Sequence, residues 1–491
     1  MIEGTEVTAS RGVIATGPAE GARAGARIFE LGGNAMDAAA AACLACAVIE
    51  PQAVDLGGYV AAGVVLEGAT GRVWSIDANS VAPAAAREDM YHVLPLRSGP
   101  PGINELEYGC SVEDDANVYG PLAVGVPGFV GGVGMLWEKW GRLKFAEIVS
   151  PARELAEQPL PYRMVRDALD KKREVLESFA SSAVILPDPE EPWHRRDLAR
   201  SLDRLAAAGW RDFYEGELGR TIGDFVSSQG GILTRQDMAA FVPRITEPVS
   251  GKYGTAAIHT AIAPNGGFSV IDALAGAPGL HGISPDTPEY WEIHAGILRS
   301  LWRARLGEPA SATPHGTVHV AAADQHGNLV SMTISQGGLF GSCLGVPRTG
   351  IILAHGMCRF DPHPGRSNSP AAGKRPLNNV CPLIIRMPDR DVAIGARGGR
   401  RIVSVMTQLA QRIVDRGASA REAAIAPRMH TIAGDALEIS TNFDPAVRDG
   451  LAERGHRLVV PEEVAGAVHG AEILRPGIKL RAGGNTWAAG V

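Results

Sequence analysis

The sequence predicts a mixed α/β protein whose first part is rich in helices and whose last part is rich in strands. Three observations support this fold class. The chain has 491 residues, 45% of them apolar and 21% charged, which is enough apolar material for a large core. Residues 123–229 show mostly helical patterns, as in FVGGVGMLWEKWG and RDLARSLDRLAAAGW. Residues 317–491 are mainly strand-like, with QLAQRIVD as one clear helix.

Glycine and proline mark the boundaries of the successive elements. The second predicted helix follows a Gly-Gly break, with Asn34 as its N-cap and Asp37 in its first turn, where negative charge is favoured. Two short strands, VAAGVVLEG and GRVWSID, come next and are joined by a tight turn. Strands return at residues 251–264, and IAPNGGFSVIDALAG then breaks on glycine before another helix. The tract RLGEPASATPHG, residues 305–316, is the best loop candidate in the second half.

Composition and residue spacing argue against several classes of protein. The net charge of −7, without basic clusters, argues against nucleic acid as a partner. The N-terminus MIEGTEVTASRGVIATG lacks signal-peptide features and no apolar run reaches membrane-spanning length, so we expect a cytoplasmic protein without a membrane partner. Cys43 and Cys46 lie one helical turn apart, but no second Cys pair or nearby His completes a metal or redox site. We therefore expect no metal and no cofactor.

The segment ATPHGTVHVAAADQHGNLVSMTIS, residues 312–335, predicts a β-hairpin that begins with a threonine after a glycine. Such a hairpin is ordinary by itself, since β-branched residues often begin strands. A threonine with a free α-amine is also a nucleophile with its own base, because the amine accepts the hydroxyl proton. To free the amine of Thr317, the protein would have to cut the bond after Gly316, whose lack of a side chain permits close approach and strain. His319, on the same strand face, either polarises this site or is a core histidine.

The segment IGARGGRRIVS predicts Gly398 and Gly399 at the start of a helix, where free N–H groups are suited to stabilise an oxyanion. A simple strand-to-helix turn would give the same pattern. A phosphate-binding loop is a weaker alternative, because the Lys-Ser/Thr ending of a P-loop and the acidic partner of a dinucleotide fold are missing. A nucleic-acid patch is weaker still, because no aromatic residues are interleaved with the arginines.

Together these segments resemble the γ-glutamyltranspeptidase family of N-terminal-nucleophile hydrolases over nearly the whole chain. The resemblance lies in GGNAMDAAAAACLACAVIEPQAVDLGGY, VAPAAAREDMY, the nucleophile segment GTVHVAAADQHGNLVSMT, the substrate loop GKRPLNNVCPLII and the oxyanion segment GARGGRRI. Several ordered motifs are far more specific than any one of them. The resemblance implies an α+β fold, a four-layer αββα sandwich. It also implies self-cleavage after Gly316 into a helix-rich large fragment, 1–316, and a strand-rich small fragment, 317–491, which stay associated.

The resemblance implies a role for each part of the catalytic machinery. Thr317 would be the nucleophile and the first residue of the small fragment. Ser335 stands where the family has a second hydroxyl that helps the nucleophile, so a serine replaces a threonine there. Gly398 and Gly399 match the two oxyanion donors. The catalytic half of the family's site is therefore complete in this sequence.

The positions that hold the amino acid head of a γ-glutamyl substrate in the family differ here. Asn79 replaces the arginine that binds the α-carboxylate, and Arg359 replaces the aspartate that binds the α-ammonium. Asn378 and Asn379 replace two serines, and Gly337 replaces a pocket asparagine. A charge pair at about 4 Å is worth about 4 kcal/mol at an effective dielectric of about 20. We therefore expect poor binding of ordinary γ-glutamyl compounds, and a substrate whose carboxylate pairs with Arg359.

The sequence therefore predicts an enzyme that hydrolyses a small carboxylate-bearing molecule through an acyl-Thr317 intermediate. Homologues in the lincomycin and pyrrolobenzodiazepine pathways resemble this pattern and are assigned to C–C cleavage. C–C or amide cleavage in antibiotic biosynthesis is accordingly the leading hypothesis. One alternative is a γ-glutamyl or glutaryl-type amide hydrolase or transferase, and another is an unprocessed pseudoenzyme that serves as a binding protein. The partner of Arg359 would separate the amide and C–C hypotheses, because a simple acyl amide supplies at most one acid group.

Overall fold

A computed structural model describes residues 1–98, 101–160, 162–187, 192–277, 279–280, 282–306, 316–431, 436–461 and 466–491. The helices are α1 (Ala19–Glu30), α2 (Ala35–Ile49), α3 (Ile103–Tyr108), α4 (Phe129–Trp140), α5 (Phe145–Glu157), α6 (Tyr162–Glu177), α7 (Arg196–Ala208), α8 (Glu217–Ser228), α9 (Arg235–Ala239), α10 (Gly267–Ala275), α11 (Pro288–Leu306), α12 (Arg401–Arg416), α13 (Ala420–Ile425) and α14 (Pro445–Glu453). The strands are β1 (Ile2–Ala9), β2 (Gly12–Thr16), β3 (Val60–Leu66), β4 (Val73–Asn79), β5 (Val93–Leu94), β6 (Ser111–Val112), β7 (Arg244–Thr246), β8 (Val249–Tyr253), β9 (Ala256–Thr260), β10 (Gly316–Asp324), β11 (Leu329–Gly337), β12 (Leu344–Val346), β13 (Ile351–Leu353), β14 (Leu383–Arg386), β15 (Arg390–Ala396), β16 (Met429–Thr431), β17 (Ala436–Ile439), β18 (Arg457–Val459), β19 (Val468–Leu474) and β20 (Lys479–Gly490).

One curled antiparallel sheet of 13 strands forms the centre of the fold. Its order is β7-β4-β3-β11-β10-β2-β20-β19-β15-β14-β9-β8, and β1 pairs with β20. Strand β10 also packs against β15 and β19, and β11 packs against β15, although these strands are not neighbours in the sheet. The sheet therefore folds over itself into two layers. Small and aliphatic side chains fill the space between the layers, including Ala321, Ala323, Ile384, Ala393 and Leu480.

Helices cover both outer faces of the folded sheet. On one face, α2 packs against β10 and β11, α4 packs against β3, and α5 packs on α2, with Val320 and Ala322 among the strand residues buried there. On the other face, α10, α12 and α13 pack against β8, β15 and β19. These contacts give helix, sheet, sheet and helix layers, so the predicted four-layer αββα sandwich is confirmed. Because side chains alternate along a strand, the odd-numbered residues of β10, from Thr317 onwards, face the space between the two sheet layers.

The N-terminus of α2 is tied to the turn of the β10–β11 hairpin. The Asn34 side chain accepts a hydrogen bond from the Asp37 N–H, and the Asp37 carboxylate accepts one from the Asn34 N–H, as the predicted cap requires. Asp324 Oδ2 accepts a hydrogen bond of 2.9 Å from the Ala35 N–H. Asp324 Oδ1 accepts another, of 3.2 Å, from the Asn328 N–H within the turn. One carboxylate thus fixes the turn and caps the helix that supports the hairpin.

Helix α2 is completely buried, which explains its run of small residues. A Cβ on Gly25 of α1 would lie 2.3 Å from Ile14 Cδ1 and 3.1 Å from the Ala38 carbonyl oxygen, so α1 and α2 approach closely. Cys43 and Cys46 are free buried thiols in this packed region, and burial raises the pKa of both. Their interpretation as small core residues is confirmed.

The bond between residues 316 and 317 lies inside the sheet and not between two separate bodies. Strand β10, which begins at Gly316, is flanked by β2 from the first part of the chain and β11 from the second. The predicted helices in residues 123–229 are confirmed by α4 to α8. The last part of the chain contains α12 but also α13 and α14, whose 6 and 9 residues are too short for a distinct helical pattern. None of the described helices is long and apolar enough to cross a membrane.

Candidate active site

Thr317 and Ser335 face each other across the β10–β11 hairpin. They are direct partners in the strand register, and their hydroxyl oxygens are 3.0 Å apart. The Ser335 hydroxyl donates to the Gly316 carbonyl oxygen at 2.5 Å and accepts from the Gly337 N–H at 3.0 Å. Because the Ser335 proton is directed to Gly316, the Thr317 hydroxyl is the donor of the pair in this arrangement. One serine therefore contacts both the predicted nucleophile and the carbonyl group of the predicted cleavage site.

The backbone around Gly316 leaves no room for a side chain. A Cβ at this position would lie 2.7 Å from Ala53 Cα and 2.8 Å from the Gln52 carbonyl oxygen. Gly316 is absent from the residues with positive φ. The prediction of close approach is therefore confirmed, whereas backbone strain in the left-handed region is not part of this site. Glycine is needed here for space and not for its conformation.

We expect Gly316→Ala to slow self-cleavage by at least about tenfold. The new methyl group would clash with the backbone of residues 52 and 53, and the shift that relieves the clash would move the Gly316 carbonyl group away from the Ser335 hydroxyl. The measurement is the fraction of full-length chain in intact-mass spectra taken over time after purification. Gly296→Ala is the matched control, since a Cβ there meets nothing within 4 Å. Cleavage of Gly316→Ala at the wild-type rate would show that the close contact with residues 52 and 53 does not position the bond.

Tyr59 is a further residue of this site that sequence reasoning did not single out. Its N–H donates to the Ser335 carbonyl oxygen at 3.0 Å, and its ring lies beside Gly337, where a Cβ would be 3.7 Å from Tyr59 Cδ1. Burial raises the pKa of Tyr59 to about 12, so the phenol is neutral. Thr317 and Ser335 are 3% and 1% exposed, so the hydroxyl cluster is screened from bulk water. The signal was present in the sequence, because Tyr59 ends the quoted segment AVDLGGY.

Gly398 and Gly399 form the turn between β15 and α12. Their φ angles are 140° and 59°, values that side chains disfavour, so both positions need glycine. Their carbonyl oxygens accept from the N–H groups of Arg401 and Ile402 at 3.1 Å, which begins the helix. The predicted strand, Gly-Gly turn and helix are therefore confirmed. The oxyanion role of the two N–H groups stays a prediction.

His319 connects the nucleophile strand with the strand that leads to these glycines. Its Nδ1 lies 2.9 Å from Thr333 Oγ1 and its Nε2 lies 3.5 Å from Ser331 Oγ. A Cβ on Gly395 of β15 would lie 2.3 Å from the imidazole ring, so the ring packs flat against that strand. Burial lowers the pKa of His319 to about 3, which keeps the imidazole neutral. These contacts favour the interpretation of His319 as a core histidine.

Arg359 already has a carboxylate partner within the chain. It lies at the end of a short 3₁₀ helix, Gly356–Arg359, and forms an ion pair with Glu107 of α3 in which both side chains are buried. Arg400 Nη2 lies 3.6 Å from Oε2 of Glu107. The same nitrogen donates a hydrogen bond of 2.9 Å to the backbone carbonyl oxygen of Glu107. A substrate carboxylate at Arg359 would therefore have to share this cluster of two arginines and one glutamate. Nothing in the sequence around Glu107 indicates this contact.

Asn79 and Gly337 are two of the positions at which the sequence predicts an altered substrate pocket. The buried Asn79 side chain donates to the Pro376 carbonyl oxygen at 2.8 Å, and its Oδ1 has no hydrogen-bond partner among the described residues. Gly337 has a φ of 93°, and a Cβ on it would lie 2.5 Å from the His355 ring. His355 thus occupies the space beside Gly337 that a side chain would otherwise need. Gly337 and the His355 ring therefore pack directly against each other, and a larger residue at position 337 would require His355 to move.

Asn378 and Asn379, the other two altered positions, contact different partners. Asn378 Nδ2 donates to Asn265 Oδ1 at 2.7 Å, and its Oδ1 accepts from the Val380 N–H at 2.9 Å, so its side chain holds the loop. Asn379 Oδ1 accepts from Arg305 at 3.4 Å, and Arg305 also donates to the Asn378 carbonyl oxygen at 2.6 Å. Burial lowers the pKa of Arg305 to about 10. No carboxylate contacts Arg305 in the part of the chain that the structure describes.

Comparison with known proteins gives the family directly. The sequence profile of the Gamma-glutamyltranspeptidase family matches residues 21–310 and 299–491. The acylase ACY 1 proenzyme of Pseudomonas sp. (strain V22) is 32% identical, over 94% of this chain and 90% of its own length.

Two solved structures share the fold across almost the whole chain. Cephalosporin acylase from Bacillus halodurans has a TM-score of 0.84 and 23% identity, over 99% of this chain and 97% of that chain. LmbA2991 has a TM-score of 0.79 and 19% identity, over 99% of both chains. From the profile match and the shared αββα layers, this chain belongs to the γ-glutamyltranspeptidase family, whose members are N-terminal-threonine hydrolases and transferases.

Proposed function

We propose that this protein is an autoprocessing acyl hydrolase that cuts its own Gly316–Thr317 bond and then hydrolyses an amide through an acyl ester on Thr317. The observation that carries the proposal is the position of the Ser335 hydroxyl, which contacts both Thr317 Oγ1 and the Gly316 carbonyl oxygen. This arrangement draws the threonine proton towards Ser335 and polarises the carbonyl that the threonine attacks.

Maturation would proceed in two steps. Thr317 Oγ1 attacks the Gly316 carbonyl carbon and the C–N bond breaks, so that the Gly316 acyl group moves from nitrogen to oxygen. Water then hydrolyses the ester, leaving a carboxylate on Gly316 and a free α-amine on Thr317. The fragments 1–316 and 317–491 would stay together, because their strands alternate in the central sheet. The separation of the two fragments thus needs disruption of the whole core.

Turnover would use the same threonine with its amine as base. The amine accepts the hydroxyl proton, the oxygen attacks the substrate carbonyl, and the N–H groups of Gly398 and Gly399 stabilise the oxyanion. The protonated amine then supplies the proton that the leaving amine takes, and water hydrolyses the acyl ester. Besides the substrate and water, this scheme requires only groups that the chain itself provides.

The charges around the altered pocket favour an acid over an ammonium group in the substrate. Among the described residues, Arg359 and Arg400 both pair with the carboxylate of Glu107, so these three side chains together carry an excess of positive charge. The family aspartate that would bind an α-ammonium is absent at position 359. Similarity to a relative named acylase supports amide cleavage as the reaction. We therefore propose an acyl group that bears a carboxylate and lacks an α-amine, as in a glutaryl amide.

C–C cleavage of a carboxylate-bearing intermediate in secondary metabolism is the second candidate. It would use the same attack on a carbonyl, with a stabilised carbon as the leaving group. The excess positive charge at Arg359 and Arg400 favours it, because such an intermediate carries more than one acid group. Release of a small diacid from the ring-opened tyrosine-derived intermediate by wild-type protein, with none released by Thr317→Ala, is the result that this candidate requires.

Three matched p-nitroanilides separate the possible acyl specificities. Glutaryl and γ-glutamyl anilides differ only in the α-amine, and the butyryl anilide lacks the carboxylate as well. We expect the glutaryl compound to be hydrolysed at least about tenfold faster than either of the others, because each change alters one charge interaction near Arg359. Equal or faster hydrolysis of the γ-glutamyl anilide would contradict the proposed pocket. If the processed protein hydrolyses none of the three anilides, amide cleavage is contradicted and C–C cleavage becomes the favoured reaction.

A further inference from the structure

Glu50 is a buried carboxylate that the proposed catalytic steps do not use. It follows the last residue of α2, and its side chain is 8% exposed. Oε1 lies 3.8 Å from Nη1 of Arg397, the residue before Gly398, whereas Oε2 has no hydrogen-bond partner among the described residues. A Cβ on Gly17 would lie 3.4 Å from this Oε2 and 3.9 Å from Val318 Cγ1. The unpartnered oxygen is therefore directed to the region beside the first residues of β10.

The backbone nitrogen of Thr317 points towards the β2 side of β10, where Gly17 and the Glu50 carboxylate lie. At the far end of the hairpin, the Asp324 N–H donates across to Asn328, on the β11 side, and the Gln325 N–H donates to the Arg11 carbonyl oxygen, on the β2 side. Backbone groups alternate along a strand, and the β10–β11 register has no shift after Thr317. Odd-numbered residues therefore direct their N–H groups towards β2. Since β2 ends at Thr16, paired with Val320, none of the described strands covers the nitrogen of Thr317.

We infer that the Glu50 carboxylate holds the α-amino group of Thr317 in the processed protein. The inference rests on the proposed self-cleavage, which creates that amine. Before cleavage the nitrogen is a neutral amide, so Oε2 lacks a charged partner. During turnover the amine becomes an ammonium when it takes the hydroxyl proton, and the nearby carboxylate stabilises that charge. Glu50 is thus a positioning residue that orients the amine and links it, through Arg397, to the turn containing Gly398.

In the described part of the chain, three other ionisable groups interact with Glu50 from the surrounding elements. They are Arg397 on the turn before α12, Glu20 on α1 and the thiol of Cys46 on α2. Burial raises the pKa of Glu50, and Arg397 opposes this shift. A new ammonium group would act in the same direction as Arg397 and favour the ionised carboxylate. Arg397 and the ammonium group would then share the two oxygens of one carboxylate.

The crystal structure of the processed wild-type protein is the deciding measurement. We expect the Thr317 nitrogen within about 3.2 Å of a Glu50 carboxylate oxygen. A separation beyond about 4 Å would overturn the inference, because no charge-assisted hydrogen bond exists at that distance. Intact-mass measurement of the same protein shows whether a negative result contradicts the proposed function or only the role of Glu50. An unprocessed wild-type chain contradicts the proposed function, whereas a processed chain with a distant Glu50 contradicts only this inference.

A variant series tests the charge interaction independently of any substrate. The pKa of the Thr317 amine is measured from the pH dependence of its acetylation by acetic anhydride, with the Met1 amine as internal reference. We expect Glu50→Gln to lower this pKa by about one unit, because a carboxylate stabilises the protonated amine. Glu20→Gln, which removes a carboxylate of α1 whose interaction with Glu50 is weaker than that of Arg397, is expected to leave it unchanged. An unchanged pKa in Glu50→Gln would overturn the inference, and if this variant fails to process, the crystal distance decides alone.

Discussion

Thr317→Ala is expected to yield a single full-length chain with no measurable hydrolase activity. The variant removes the hydroxyl that donates to Ser335 and that lies beside the Gly316 carbonyl group. Without it, neither the acyl shift of maturation nor the acyl ester of turnover can form. Loss of a nucleophile typically lowers the rate by about 10⁴-fold or more. The measurements are denatured intact mass and hydrolysis of the three anilides.

Thr317→Ser is the matched control for this prediction. It keeps the hydroxyl and removes only a methyl group, so we expect a cleaved and active protein with a slower maturation step. Cleavage of Thr317→Ala after residue 316 would show that another group breaks the bond. A full-length mass for the wild-type protein would remove the free amine from the mechanism, and the site would then be that of an unprocessed binding protein.

Arg195→Met is expected to lower the free energy of unfolding by about 3–5 kcal/mol, because it leaves a buried charge without its partner. Arg195 pairs with Asp55, and their side chains are 2% and 0% exposed. The guanidinium also donates to the carbonyl oxygens of Ala47 and Gly350, each at 2.8 Å. Asp55 Oδ1 accepts from the Ile352 N–H at 3.0 Å. The pair therefore joins the end of α2, the segment before Tyr59 and the β12–β13 hairpin.

Guanidinium-induced unfolding of the uncleaved Thr317→Ala chain measures this effect without dissociation of fragments. Arg153→Met is the matched control, because Arg153 pairs with Glu157 and Asp203 at the surface, where ion pairs contribute little, and we expect no measurable loss. The double change of Arg195→Met with Asp55→Asn should recover part of the loss, since it removes the unpaired charge. A loss below about 1 kcal/mol in Arg195→Met itself would show that Asp55 finds another partner or becomes neutral.

The part of the site within the hairpin could be predicted from the sequence because it depends on local register. Thr317 and Ser335 each lie nine residues from His326, at the centre of the predicted turn. An antiparallel hairpin with that turn pairs the two residues, and the structure has this pairing. The glycine pair at residues 398 and 399 was predictable for a similar reason. A strand, two glycines and a helix in succession leave few conformations for the turn.

The predicted substrate-binding part of the site depends on contacts that no local pattern specifies. Arg359 and Glu107 are 252 positions apart, and their ion pair exists only because α3 packs against the 3₁₀ helix at Arg359. The sequence showed an arginine in place of an aspartate and suggested a substrate acid as its partner. The structure supplies a carboxylate of the chain in that place. The arginine at position 359 therefore did not by itself indicate the net charge around it, because the partner Glu107 could not be foreseen.

The sequence by itself determined the family, the layered fold and the pairing of Thr317 with Ser335. Periodicity, turn chemistry and ordered motifs act over short stretches, so they are visible in one chain without its structure. Only the tertiary structure decided which charges neutralise one another. It places His355 against Gly337 and Glu50 beside the start of β10. Such contacts join distant segments whose approach is set by the packing of the whole core, and this is why they had no signal in the sequence.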